Sequence, residues 1–151
     1  MKLKGLFLIA NSLLVAVLFL TACSPVTPKP LPTLENTTWM LQSYGQPENL
    51  KSVQKGYIYL RNVEITAVFD SVKGQVTGSS GVNTYRGGYK LEDNKLSISV
   101  FIMTQLGGPQ PLIDQEEEFL NLLQAAESFQ ITDGRLQINC GQQVLVFTEK
   151  R

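Results

Sequence analysis

From Leu34 onward, apolar and polar residues alternate in short runs separated by turn-forming residues, the pattern of strands buried on one face. Residues 57–60, 64–69, 89–91, 96–103, 129–131, 136–138 and 144–147 predict strands, and Trp39 with Leu41 predicts another near the start. One segment breaks this period: Phe119, Leu120, Leu123 and Ala126 recur at helical spacing and form a single apolar stripe. The helix is expected to start at Asp114, with Glu117 completing a capping box. Several strands and one amphipathic helix imply an α+β domain, a curved, mostly antiparallel sheet wrapped around the helix.

Two segments repeat each other in type, 89–98 and 129–138. Each places a turn pair, Asp93-Asn94 or Asp133-Gly134, between two apolar runs. Such pairs suit the positive φ angles of a two-residue hairpin turn. The implied register sets Leu91 opposite Leu96, Tyr89 opposite Ile98, Ile131 opposite Leu136 and Phe129 opposite Ile138, giving each hairpin one apolar face.

The first 22 residues have a different character. Lys2 and Lys4 precede an apolar run over residues 5–20, which ends in Leu20-Thr21-Ala22-Cys23. Basic start, apolar core and small residues at the cut are the parts of a secretory leader, and the sixteen-residue run falls short of the roughly 20 residues needed to span hydrocarbon. The last four residues resemble the bacterial lipobox. That resemblance implies diacylglycerol attachment to Cys23, cleavage before it and acylation of the new amino terminus. Two or three acyl chains would hold the protein on the membrane, since each buried methylene contributes about 0.8 kcal/mol. Ser24, in place of Asp after the lipidated cysteine, implies sorting to the outer membrane, facing the periplasm. The following stretch carries Pro25, Pro28, Pro30 and Pro32 and predicts a semi-extended spacer. The expected organisation is therefore a leader over 1–22, an anchor and spacer over 23–33 and one domain over 34–151.

Removing Lys2 and Lys4 leaves 11 of the 13 basic residues against 13 acidic ones, a formal charge of −2. The remaining lysines and arginines are scattered singly, so a nucleic-acid partner is not expected. The absence of histidine removes the usual general base near neutral pH and the commonest zinc ligand. No cofactor, metal or catalytic set is expected. Cys140 alone remains inside the domain, which should fold without a disulfide.

Gly78-Ser79-Ser80-Gly81 invites a reading as a nucleophile loop with Lys73 or Lys90 as base, but glycines at a strand bend account for it better. The run Glu116-Glu117-Glu118 is read as complementing the positive end of the helix dipole. On this reading Ser79→Ala, Ser80→Ala and Glu116→Gln leave function intact. Asn83, Tyr85 and Arg86 are the candidate partner surface, because Tyr and Arg are enriched in binding hot spots. The alternative for the first two is that Asn83 braces the glycine-rich bend and Tyr85 belongs to the core. The connection Gly107-Gly108-Pro109-Gln110-Pro111 is a weaker candidate.

Taken in order, Trp39, Phe69, Gly81-Val82-Asn83, Thr104, Glu116 to Phe119 and Phe147 resemble the landmarks of the META domain of HslJ-like proteins. Many relatives carry cysteines where this chain has Val82 and Gly108, and both are missing together here. The resemblance implies a half-open β-barrel with a packed helix, in a family common among envelope lipoproteins, linked to stress responses and without a catalytic residue set. Two functions follow as expectations. The first is a non-catalytic interaction module with an envelope protein partner; the alternative is binding or sensing of a small apolar ligand in the open barrel. A helix filling the barrel favours the first, and a large apolar cavity favours the second.

Overall fold

The computed structural model describes residues 33–58 and 61–150. The expected leader, Cys23 and the spacer through residue 32 lie outside the described residues.

Among the described residues eleven strands and one helix follow in the order β1 (Thr38–Gln46), β2 (Asn49–Ser52), β3 (Tyr57–Ile58), β4 (Arg61–Asn62), β5 (Thr66–Asp70), β6 (Gln75–Ser79), β7 (Thr84–Glu92), β8 (Lys95–Met103), α1 (Gln110–Gln124), β9 (Ser128–Thr132), β10 (Arg135–Cys140) and β11 (Gln143–Glu149). Eight of them close a barrel: β5 to β11 are joined as antiparallel neighbours, and β1 pairs with both β5 and β11. The closure is uneven. β8 and β9 share only the pair Lys95↔Ser128, so the barrel wall opens below that point. This seam gives the half-open character that the sequence resemblance implied. A register shift at Gly87/Gly88 against β8, and another between Leu41 and Ser43 against β11, supply the local bends that a curved wall needs.

Both repeated hairpins form in the expected register, with Leu91↔Leu96, Tyr89↔Ile98, Ile131↔Leu136 and Phe129↔Ile138 paired. Asp93, Asp133 and Gly134 take φ values of 55°, 50° and 73° at the turns. The inward faces are not equally covered, since Leu96 and Leu136 are fully buried while Leu91 is partly exposed. The expected strand over 57–60 is instead a small separate hairpin of β3 and β4.

The helix starts four residues earlier than expected. Its N-cap is Pro109, no side chain caps it, and no acidic residue lies in its first turn. Pro111 explains the early start: proline in the first turn has its φ already helical and lacks only an amide that would have no intrahelical partner. Asp114 is therefore internal to the helix and accepts a hydrogen bond from Gln110 Nε2 at 2.7 Å.

The helix packs into the barrel. Phe119 and Leu123 are fully buried in one continuous core with Trp39, Phe69, Val76, Leu96, Leu136, Ile138, Leu145 and Phe147. Burial of each such side chain contributes about 1.5–3 kcal/mol. A smaller cluster of Val63, Val82 and Leu112 continues this packing near the helix start. Helix side chains thus occupy part of the barrel interior.

Candidate functional site

Three of the landmark residues, Asn83, Thr104 and Glu116, come together with Ser80 in one polar network. Glu116 projects from α1 into the β6–β7 loop, where its carboxyl group accepts hydrogen bonds from Ser80 Oγ, from Asn83 N at 2.8 Å and from Asn83 Nδ2 at 2.7 Å. The side-chain Oδ1 of Asn83 in turn accepts from Thr104 Oγ1 at 2.8 Å and Leu106 N at 2.7 Å. Asn83 Nδ2 also lies 3.3 Å from the Leu106 carbonyl. Three segments distant in sequence are thereby bracketed to each other: the glycine-rich loop, the end of β8 and the first half of α1.

This placement corrects one expectation. Glu116 does not serve the helix dipole: it lies beyond the first turn and is buried. A buried carboxyl group is tolerated only when its lone pairs are satisfied, and three donors do that here. Glu116→Gln is accordingly not neutral to the fold. Ser80 is fully buried, its hydroxyl bonded to Glu116 and 3.0 Å from the Asn83 carbonyl. Ser79 Oγ accepts from Gly81 N at 3.2 Å, and Lys73, one proposed base, donates to Asp70 at 2.8 Å. The serine-rich loop is built as a bend, with Gly81 at φ 111°.

Of the three candidate surface residues, two point inward. Asn83 is the centre of the bracket. Tyr85 is buried, donates to the Thr66 carbonyl at 2.9 Å and meets the Phe119 ring edge-on at 5.8 Å. Burial pushes its hydroxyl well above the ordinary tyrosine range. These are the bracing and core roles that the sequence offered as alternatives. Arg86 faces outward, directly opposite Ile102 of β8. Ile102 is 67 % exposed, and Leu106, held in place by Asn83, is 53 % exposed. Among the described residues Arg86 has no ion-pair partner. Sequence reasoning missed Ile102 and Leu106; for Ile102 the signal was an apolar residue at an outward strand position.

The start of the domain is fixed independently. Trp39 Nε1 donates to the Leu34 carbonyl at 2.9 Å, Asn36 N to the Phe69 carbonyl at 3.0 Å, and Tyr89 Oη to Glu35. Burial first, and the Glu35 bond second, push the Tyr89 hydroxyl upward. The residues leading from the N-terminal segment are therefore seated on the barrel wall.

Cys140 is a free, buried thiol that burial, reinforced by the charge of Glu127, pushes up to about 12. Because the thiolate is the reactive form, the folded protein should alkylate with iodoacetamide at pH 8 at least about a hundredfold more slowly than a free thiol. Denaturant should remove the difference, and fast alkylation of the folded protein would contradict this burial. Among the described residues no group of three or more His, Cys, Asp or Glu side chains could hold a metal ion.

The family model described as META domain matches residues 32–151. An NMR structure of a protein from Burkholderia xenovorans is similar, with 25% identity and a TM-score of 0.63 over 83% of this chain and 92% of that one. A crystal structure of a DUF4847 family protein from Bacteroides vulgatus shares the fold at 14% identity and a TM-score of 0.53, covering 76% of this chain and 93% of that one. No curated protein matches the sequence.

Proposed function

The chain belongs to the META domain family, and from that premise we propose that it is a non-catalytic interaction module, held by lipid on the outer side of a bacterial membrane, serving envelope assembly or stress response. The observation that carries this reading is the outward pair of Arg86 and Ile102 on a barrel whose interior is partly occupied by helix side chains. Arginine beside exposed apolar surface is the composition of a binding hot spot. The bracket supports the same reading, because Ser80, Asn83 and Glu116 spend their buried polar groups in bracing three segments.

The lipobox and the proline-rich stretch before residue 33 supply the location. Lipid at Cys23 confines the domain to a thin layer and raises its effective concentration toward neighbours there. The partner is an envelope protein within reach of the spacer. Replacing the lipidated leader with an ordinary cleavable one should leave the domain folded yet fail to rescue a deletion strain. Full rescue by the untethered chain would overturn the membrane part of this proposal.

A further inference from the structure

One feature of the barrel lies outside both the bracket and the Arg86 surface. The edge of β1 is shared by two strands: it pairs with β5 over Thr38–Met40 and with β2 over Ser43–Gln46. Where the sheet forks, Leu41 N bonds to the Ile65 carbonyl at 2.9 Å on one prong, and Val53 N bonds to the Gln42 carbonyl at 3.1 Å on the other. A cleft of about 550 Å³ opens between the prongs. That size falls in the ~300–1,000 Å³ range of small-molecule sites.

The cleft has a definite chemistry. Partly buried Met40 and Val53 line it with apolar surface over a floor closed by Leu41, Val63 and Ile65, and Gln42, Asn62 and Lys55 contribute polar groups. Its one acidic side chain, Glu64, is already paired with Lys150. Lys55 has no carboxylate partner among the described residues, so the unbalanced charge in the cleft is positive. The wall that carries Lys55 is fixed from behind and across. Gln54 N donates to the buried Gln115 Oε1 at 2.6 Å, and Val63 N donates to the Gly56 carbonyl at 2.8 Å.

We propose that this fork cleft binds a small carboxylate with an apolar body, the body on Met40 and Val53 and the carboxylate on Lys55. The ligand chemistry is that of an N-acylated aliphatic amino acid or of a peptide ending in one, with Gln42 and Asn62 placed for its amide. This site does not depend on the partner surface described above, and either can fail without the other.

The test uses the full acylated chain in lipid nanodiscs, with methyl resonances followed during titration with N-acetyl-leucine, N-acetyl-leucinamide and an acetylated tripeptide ending in leucine. Saturable shifts are expected at Met40 and Val53, with the acid binding about tenfold more tightly than its neutral amide. Lys55→Met should erase that preference, whereas Lys95→Met, at an exposed lysine elsewhere, should keep it. Tighter binding of the tripeptide would identify a chain terminus as the source of the carboxylate, and equal binding a free acid; both require the free carboxylate and support the site. Absence of saturable shifts, equal affinity for acid and amide, or a preference that survives Lys55→Met would overturn the proposal.

Discussion

Gly78→Ala should unfold the domain or destabilise it by at least about 3–4 kcal/mol. A Cβ at this position would stand 1.9 Å from the Thr66 carbonyl oxygen and 2.7 Å from its carbon. Both atoms are backbone, so no side chain can turn aside to make room. Relief requires moving β6 away from β5. That movement strains two further contacts, the Tyr85 hydroxyl on the Thr66 carbonyl and Ser79 N on Thr66 Oγ1 at 3.1 Å. Gly107→Ala is the matched control, since nothing lies within 4 Å of its Cβ position; its effect should stay within about 0.5 kcal/mol. Trp39, the single tryptophan and fully buried, reports unfolding by fluorescence in urea. Equal midpoints for the two variants would contradict the close approach of β5 and β6.

Asn83→Ala is expected to cost about 3–5 kcal/mol, the range for stripping partners from a buried charged or polar group. The truncation removes the amide donor to Glu116 and the acceptor for Thr104 and Leu106 in one step. Four polar groups then lose a bond, and one of them, the Glu116 carboxyl group, stays buried. Glu116→Gln should cost less, about 1–3 kcal/mol, because the shape is kept but an NH2 replaces one accepting oxygen. Both losses should appear in the urea midpoint at unchanged spectral signature of the folded state. A loss below about 1 kcal/mol for Asn83→Ala would mean that the bracket is incidental to the fold.

Much of the barrel was legible in the chain because its information is local. The two hairpins carry turn residues between alternating apolar runs, and register followed from the turn length alone. Trp39, Phe69, Phe119 and Phe147 were marked by type and order, and all four are fully buried. The parts that escaped have reasons of their own. β2 is exposed at every position, so no alternation announces it. β6 contains a single apolar residue, Val76, amid polar and glycine positions. The capping residues Asp114 and Glu117 pointed to a helix start that Pro111 had already moved upstream.

The bracket was the least readable feature, because its partners lie 33 and 36 residues apart in sequence. Three adjacent glutamates look alike on paper, yet only Glu116 faces inward. A clue was present: Asn83, Thr104 and Glu116 are landmarks with polar side chains and no shared reaction. Polar landmarks without chemistry are candidates to satisfy each other. For Arg86 the sequence supplied the residue but not its neighbour, since pairing with Ile102 depends on the shift at Gly87/Gly88.

The claim that the protein works through its outer surface is tested most directly by photo-crosslinking from position 102 in the membrane-anchored full chain. Position 72 serves as comparison, because Val72 is 94 % exposed on the separate β5–β6 turn. The account predicts a discrete protein adduct from position 102 that Arg86→Glu abolishes at unchanged stability, and no such adduct from position 72. No discrete adduct from position 102, or the same adducts from both positions, would contradict it.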